Sequence, residues 1–302
     1  MRRADVRGKK RRTDKYIGAL VAASWGGGAS DLGREQPDEG SPSGPMSFAV
    51  DDRGHMWVLD QVNGRIQRFT DGKVDQTLPL DRATAQDMAI ADDGTIAVLD
   101  RFGGEDVLLY GPDGTIVGSI PFAGEGLEGP GFVTGVFVDG EDVYIERERG
   151  PLVLIGNTKG QAASPQTEIP GRPSRDGKSY LKAGITDAAQ GRTYVVSNAR
   201  PSGEHRFTRE ITFDASVWAI VLLDTDLSGT IYFAAELADG SDHTIVLTCL
   251  DPMTGVPQGT ASLPANTLPD ETFRDLVVLD EGGVVAALRT ESGVTYETYD
   301  CE

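Results

Sequence analysis

Charged and amide side chains recur at one position of this chain, directly after the second of two apolar segments joined by a tight turn. Acids, guanidiniums and amides grouped around a concave opening can hold a polar ligand through hydrogen bonds and ion pairs. The second segment of each pair runs back towards the end at which the first began, so these residues are expected on one rim. The predicted ligand-binding residues are Asp60, Gln61, Asp100, Arg101, Arg147, Glu148, Asn198, Glu236 and Arg289. No catalytic residue is predicted.

A second candidate is an acidic loop at residues 224–229, where Asp224, Asp226 and Ser228 match the first half of a calcium-binding loop. The twelfth position of such a loop supplies a bidentate carboxylate, but here it is Ala235. The same residues also fit an ordinary hairpin turn. Calcium is the only cofactor that this pattern suggests.

The three histidines do not form a metal-binding pattern. His55 follows the first turn of its repeat, whereas His205 and His243 are each expected after a second strand, on the opposite face. Zinc needs ligands about 2 Å from a common centre, so a shared zinc is not expected. The sequence also lacks the G-x-S-x-G, H-E-x-x-H, C-x-x-C and phosphate-binding loop motifs.

The elements that position these residues are six repeats of strand, turn and strand. Residues 45–61 and 85–101 align without a gap at an offset of 40 residues. A period of about 40 to 50 residues built from short strands is typical of a β-propeller, in which each repeat is one four-stranded blade. The sequence therefore predicts an all-β, six-bladed propeller. The turns of the six repeats are marked by Gly54, Gly94, Gly140, Gly191, Gly229 and Gly282.

Blade four is the least regular repeat. Its first three strands are predicted at residues 179–187, 192–198 and 207–213. The polar, proline-rich segment that precedes them, residues 160–177, is predicted to be a surface loop.

The last repeat ends one strand short of a full blade, and residues 16–25 are the only unassigned strand-like segment. An N-terminal strand that completes the last blade would leave no unpaired edge between the termini. A signal-peptide core is the alternative for this segment. The domain prediction is a disordered basic tail over 1–15, a closing strand over 16–25, a linker across one face over 26–43, and a single propeller over 16–302.

The net charge is −19, with +6 in residues 1–15 and −25 in the remainder. An acidic body repels phosphate backbones, so the propeller is not expected to bind nucleic acid. The acidic surface favours a protein partner or a small polar ligand that is cationic or polyhydroxyl. The propeller is expected to be a monomer. No apolar stretch is long enough to form a transmembrane helix.

The two cysteines, Cys249 and Cys301, fall on predicted strands of different blades. Buried or half-buried free thiols are the expectation, and a single bridge between them is the alternative. The compartment stays open: cytoplasmic for the chain as written, or extracytoplasmic if a leader precedes it.

Residues 58–69, VLDQVNGRIQRF, resemble an NHL repeat, with an apolar pair, Asp, Asn and then Arg-Ile before an aromatic residue. The longer stretch from Ala23 to Asp51 resembles uncharacterised bacterial envelope propellers, some with lipoprotein-type leaders. In NHL-like blades the Asp after the second strand usually caps a turn or pairs with the next strand's Arg, as Asp60 would with Arg65. The resemblance implies a six-bladed fold but no single activity, because NHL-like propellers include binding modules and enzymes.

Together these features favour a noncatalytic module for ligand binding, protein binding or scaffolding. The alternative is a channel-centred hydrolase or lyase of the lactonase-like type, with calcium. Oxygens converging in the channel would favour the enzyme, whereas a channel filled by apolar side chains or salt bridges would favour the module.

Overall fold

Short strands joined by tight turns form six antiparallel sheets around a central channel. The computed structural model describes residues 2–5, 16–122, 129–240 and 242–301. In chain order the strands are β1 (Arg2–Asp5), β2 (Tyr16–Ser24), β3 (Ser47–Val50), β4 (Met56–Asp60), β5 (Arg65–Thr70), β6 (Lys73–Pro79), β7 (Asp87–Ile90), β8 (Ile96–Asp100), β9 (Asp106–Tyr110), β10 (Ile116–Pro121), β11 (Val133–Asp139), β12 (Asp142–Arg147), β13 (Leu152–Asn157), β14 (Ala162–Glu168), β15 (Arg172–Pro173), β16 (Ser179–Asp187), β17 (Arg192–Ala199), β18 (His205–Thr212), β19 (Ser216–Thr225), β20 (Ile231–Asp239), β21 (Asp242–Leu250), β22 (Pro257–Pro264), β23 (Leu276–Val278), β24 (Val284–Thr290) and β25 (Gly293–Tyr299).

The sheets are β3–β6, β7–β10, β11–β14, β15–β18 and β19–β22 for blades one to five, and β23–β25 with β2 for blade six. Contacts of β7 with β3 and β11, and of β23 with β3 and β19, place the first strands of blades one, two, three, five and six at the channel. The six-bladed propeller is therefore confirmed. Single helical turns occur at Gln61–Asn63 and Pro130–Phe132. Within the described residues no helix is long and apolar enough to cross a membrane.

The N-terminal strand closes the ring, as predicted. β2 pairs antiparallel with β25, from Tyr16 opposite Tyr299 to Ser24 opposite Gly293. Val21 and Ala23 are buried in the apolar layer between blades six and one. The indole Nε1 of Trp25 donates a 2.8 Å hydrogen bond to the carbonyl of Thr290 just beyond this strand. A ladder of backbone hydrogen bonds thus joins β2 to β25, and β2 is the fourth strand of blade six.

Residues 2–5 differ from the predicted disordered tail, because they form β1, which pairs in parallel with β18 at the outer edge of blade four. Residue 1 and residues 6–15 lie outside the described residues. The linker over 26–43 lies against blade one, where the amide of Gly33 donates to Asp60, and pairs through Ser43 with Glu271 ahead of blade six.

Blade four corrects the strand assignment made from sequence. Its first strand is β15, only two residues long, so the three long strands β16, β17 and β18 are the second, third and fourth. The segment 160–177 is not a plain surface loop, because it contains β14 and β15. A two-residue strand carries no apolar alternation, so it could not be recognised in a segment rich in proline.

The apolar core consists of layers between neighbouring blades. Five of the six junctions each hold a cluster of ten or more buried residues. The junction between blades three and four holds a cluster of only three buried residues, Phe137, Tyr144 and Leu152. The interior is therefore least filled beside the short strand β15.

A disulfide joins Cys249, on β21 of blade five, to Cys301, just after β25 of blade six. The expectation of free thiols is wrong, and the single bridge is the alternative that the structure has. The Cα atoms are 6.1 Å apart because the ends of the two third strands lie side by side. The bridge closes a loop with a sequence separation of 52 residues, which restricts the unfolded chain.

Candidate functional site

A cavity of about 360 Å³ lies along the channel beside blades three, four and five. It exists because β15 is so short that the inner layer of blade four is missing over most of its length. Leu181, Lys182 and Ala183 of the second strand, β16, therefore line the cavity, as does Tyr194 of the third strand, β17.

The Tyr194 ring can lie along the cavity wall because Gly184 stands opposite it across the ladder. A Cβ atom at Gly184 would come within 2.6 Å of the Tyr194 ring and hydroxyl. Contacts below 3 Å do not occur for real Cβ atoms, so any other residue at Gly184 would push the ring away. The shape of this wall thus depends on one glycine.

The wall contributed by blade five is apolar apart from Asp224. Residues 220–223, Ile-Val-Leu-Leu, are half-buried and line the cavity, although a first strand at the channel is usually covered on both faces. The ladder between β19 and β20 shifts register between Ile220 and Leu222, which is a β-bulge. Bulges re-aim side chains and often lie next to binding sites. Leu276 and Val277 of blade six extend this apolar surface.

An ion pair between the half-buried Arg274 and the buried Asp87 crosses the channel beside the cavity. Arg274 donates two hydrogen bonds to the Asp87 carboxylate, of 3.0 Å from Nε and 2.7 Å from an Nη, and a third to the carbonyl of Val136. Asp87 also accepts from the hydroxyl of Ser47 at 2.6 Å and from the amide of Val136 at 2.9 Å. Burial acts to lower the pKa of Arg274, but the charge and hydrogen bonds of Asp87 outweigh it and raise that pKa above its ordinary value.

Two further arginines of the cavity wall are also paired. Arg172 donates a 2.9 Å hydrogen bond to Glu146, and its guanidinium lies 4.8 Å from the centre of the Phe137 ring. Arg175 pairs with Asp280 at 2.5 Å and lies 3.8 Å from Asp224. These contacts hold the blade-three and blade-four walls in place.

Arg149 and Lys182 differ from these arginines, because neither makes an ion pair with any described part of the chain. Both side chains are exposed, and both line the cavity. Arg149 lies in the turn after β12, where its φ of 55° is in the left-handed region and its amide donates to the Thr134 hydroxyl. The cavity can therefore offer cationic donors to which no carboxylate of the described residues is bound.

None of the nine predicted rim residues is among those that line the cavity. Asp60 is fully buried and accepts hydrogen bonds from Gly33, Asn63 and Arg65, so the pairing with Arg65 that the NHL resemblance implied is present. Gln61 bonds the backbone of Met46 and Gly44. These two residues hold the linker and the turn of blade one.

Blade two uses its two rim residues in a similar way. Asp100 is fully buried and accepts from the Thr84 hydroxyl and from the amides of the turn that follows it. The Arg101 guanidinium lies 4.5 Å from the centre of the Phe102 ring and 4.7 Å from that of Phe273, with Glu271 at 3.7 Å. Burial lowers the pKa of Arg101.

Four of the remaining rim residues are in three different blades. Arg147 lies 3.4 Å from Glu168, and the neighbouring Glu148 is exposed at a φ of 51°. Glu236 pairs with His243 at 2.5 Å. Arg289 is only 2% exposed and donates to Asp275 at 2.7 Å and to the Pro45 carbonyl at 2.9 Å. They lie in separate local contacts, so the structure does not bring the nine residues together in one cavity.

Asn198 lies on the other face of the disc from the remaining eight, because it ends the third strand of blade four and not the second. His205 follows the same third strand, so it lies on the face that carries His55 and not with His243. The two residues contact each other, with His205 Nδ1 3.4 Å from Asn198 Oδ1.

The acidic loop at 224–229 is a hairpin turn between β19 and β20. The Asp226 carboxylate accepts from the Ser228 hydroxyl at 2.7 Å, the Thr230 amide at 2.9 Å and the Tyr232 hydroxyl at 3.3 Å. Burial raises the pKa of Tyr232 to about 12, so the hydroxyl stays a donor. Asp224 lines the cavity and accepts from the amide of Thr225. The described residues contain no group of three or more His, Cys, Asp or Glu that could hold a metal ion.

Sequence reasoning missed the residues that do line the cavity, apart from Asp224. Arg172 and Arg175 belong to the segment interpreted as a loop, and Arg149 follows the strand whose last residues were placed on the rim. The available signal was four arginines within residues 147–175 that follow no helix or strand period, in a strongly acidic chain.

No protein-family model matches this chain, and no curated protein does. Among solved structures it is similar to virginiamycin B lyase from Staphylococcus aureus, at 12% identity and a TM-score of 0.48, over 85% of this chain and 95% of that one. It is also similar to a streptogramin B lyase, at 10% identity and a TM-score of 0.47, over 88% and 97% of the two chains. A protein of unknown function from Bacteroides caccae is similar at 16% identity and a TM-score of 0.48, over 73% and 82%. Likeness at this level does not transfer a site or an activity, so the site is interpreted from its own residues.

Proposed function

We propose that this propeller is a noncatalytic binding module whose small-molecule ligand lies in the cavity beside blades three, four and five. The observation that carries the proposal is the composition of that cavity. The cavity combines an apolar wall from β19 with polar walls on which Arg149 and Lys182 have no ion-pair partner among the described residues. Ligand pockets in proteins are mostly apolar concavities of this size with a few polar groups that fix orientation.

Binding is favoured over catalysis by the state of the carboxylates in the wall. Asp87 and Glu146 accept hydrogen bonds from arginines, and Asp224 has Arg175 at 3.8 Å. A general base must reach the substrate proton, within about 3 Å, and must be free to take it. These carboxylates instead form ion pairs with arginines that connect the walls of the channel.

A library of small molecules screened by thermal shift on the full chain tests this proposal, because a ligand that binds only the native state raises Tm. We expect compounds that raise Tm to lose their effect in Ala183→Phe, whose ring would fill the cavity. They should keep it in the control Ala162→Phe, which lies exposed on the outer strand β14 of blade three.

If compounds stabilise Ala183→Phe as well as the native chain, the cavity is not the binding site and the proposal is wrong. Turnover of a bound compound that stops when a chelator is added would instead support the calcium-dependent hydrolase or lyase.

We also propose that the protein functions in an oxidising, extracytoplasmic compartment. The support is the bridge between its only two cysteines, Cys249 and Cys301, because structural disulfides persist mainly outside the cytosol. Alkylation of the protein directly from its host cells, without reduction, should leave both cysteines unlabelled. Labelling of both would assign the protein to a reducing compartment.

A further inference from the structure

The charge of the cavity is opposite to that of the protein as a whole. The chain has a net charge of −19. Among the described residues that line the cavity are five cationic side chains, Arg149, Arg172, Arg175, Lys182 and Arg274, and three carboxylates, Asp87, Glu146 and Asp224. A local excess of one sign in a partly enclosed site attracts ligands of the other sign more strongly than charges in open water do.

The cations divide into two sets with different roles. Arg172, Arg175 and Arg274 donate hydrogen bonds to carboxylates of other blades. Arg149 and Lys182 have no such partner among the residues described, so their donors are available to a ligand. A cationic ligand would have to displace an arginine from Asp87 or Glu146, which are already paired at 2.7 and 2.9 Å, or else bind Asp224, which is buried and has Arg175 at 3.8 Å.

The wall formed by β19 and β23 is apolar except for Asp224 near the end of β19. Residues 220–223 and 276–277 are all apolar and line the same cavity. A small inorganic anion would leave that apolar surface in contact with water, whereas an organic body would cover it and gain about 25 cal/mol per Å² of buried area. The occupant therefore needs two parts of different chemistry.

We infer that the ligand is an amphipathic organic anion, with a carboxylate or similar anionic group bound by Arg149 and Lys182 and an apolar body packed on β19. This inference rests on the proposed function and specifies its ligand. It departs from the cationic or polyhydroxyl ligand expected from net charge, because the acidic residues that dominate that charge lie outside the cavity.

The test uses three probes that share one apolar body: 4-phenylbutyrate, 4-phenylbutan-1-ol and 4-phenylbutylamine. Binding to the full chain is measured by isothermal titration calorimetry at low and at physiological salt. We expect the carboxylate to bind at least about tenfold more tightly than the alcohol, since a hydrogen bond to a charged group contributes about 1.5–3 kcal/mol. The amine should bind most weakly, and only the carboxylate should weaken as salt increases.

Matched substitutions locate the anionic group. Lys182→Met and Arg149→Met should each weaken carboxylate binding by about tenfold while leaving alcohol binding unchanged. The controls are Lys73→Met, on the outer strand β6, and Arg53→Met, in the turn between β3 and β4, which are both exposed and outside the cavity. Neither control should change binding.

The outcomes separate this inference from the proposed function. If the alcohol or the amine binds as tightly as the carboxylate, and Ala183→Phe abolishes that binding, the cavity is the site but its ligand is not an anion. If carboxylate binding survives Ala183→Phe and both methionine substitutions, the cavity is not the site and both proposals are wrong.

Discussion

Replacing Asp87 by alanine is expected to lower the free energy of unfolding by about 3–5 kcal/mol, the usual cost of removing one partner from a buried ion pair. The Asp87 side chain is 2% exposed, and its carboxylate accepts from Ser47, Val136 and Arg274. Those donors come from blade one, blade three and the segment before blade six. The substitution would leave the Arg274 charge in the channel without its carboxylate partner. It would also remove the hydrogen-bond acceptor shared by Ser47, Val136 and Arg274. Urea denaturation followed by tryptophan fluorescence measures the change.

The matched control is Asp75→Ala, which also removes a carboxylate held by two arginine hydrogen bonds. Asp75 pairs with Arg68 at 2.9 Å through both oxygens, but it lies exposed on an outer strand. An exposed pair contributes about 0–1 kcal/mol, so this variant should unfold close to the native midpoint. The double variant Asp87→Ala, Arg274→Met should be less unstable than Asp87→Ala alone, because it removes the uncompensated charge. Equal effects of Asp87→Ala and Asp75→Ala would mean that the channel pair does not hold the blades together.

The fold was predictable from sequence because its signals are repeated. Residues 45–61 and 85–101 carry the same alternation of apolar segments, and each further repeat confirms the period. Closure by β2 followed from a physical rule, since a blade with three strands would leave an unpaired edge. The Asp60–Arg65 pair was expected because residues 58–69 resemble an NHL repeat, in which such a pair is common.

The cavity could not be predicted, because it results from a missing part of the pattern. β15 is two residues long, and the register of blade four was assigned one strand late as a result. That shift placed Asn198 and His205 on the wrong faces and assigned Tyr194 to the second strand, although it lies on the third strand and lines the cavity. The bulge that exposes Ile220 to Leu222 leaves no trace in composition. The candidate site lies where the repeat is least regular, and pattern-based inference is weakest there.

Deleting residues 1–26 is expected to make the protein insoluble or oligomeric. The deletion removes β2, exposes the whole edge of β25, and uncovers the apolar layer between blades six and one that contains Val21 and Ala23. At about 25 cal/mol per Å² of apolar area, the loss amounts to several kcal/mol, which is comparable with the stability of a typical domain. Deleting only residues 1–15 keeps β2 and removes β1, a four-residue strand added to an edge, so it should leave the protein soluble and monomeric. Size-exclusion chromatography with light scattering distinguishes the two results.

A pair of point substitutions on β2 tests the same closure without shortening the chain. Val21 is 4% exposed and packs in the layer between blades six and one, whereas its neighbour Leu20 is 42% exposed. Alternate residues of a strand face opposite sides, so Val21→Asp should place an unpaired carboxylate in the core while Leu20→Asp places one in water. We expect Val21→Asp to lower Tm by well over ten degrees or to prevent folding, and Leu20→Asp to change it little, since one buried unpaired charge costs several kcal/mol and about 1 kcal/mol shifts Tm by a few degrees. If both variants melt like the native chain and the 1–26 deletion stays monomeric, residues 16–24 do not close the ring, and the signal-peptide interpretation of that segment replaces the strand.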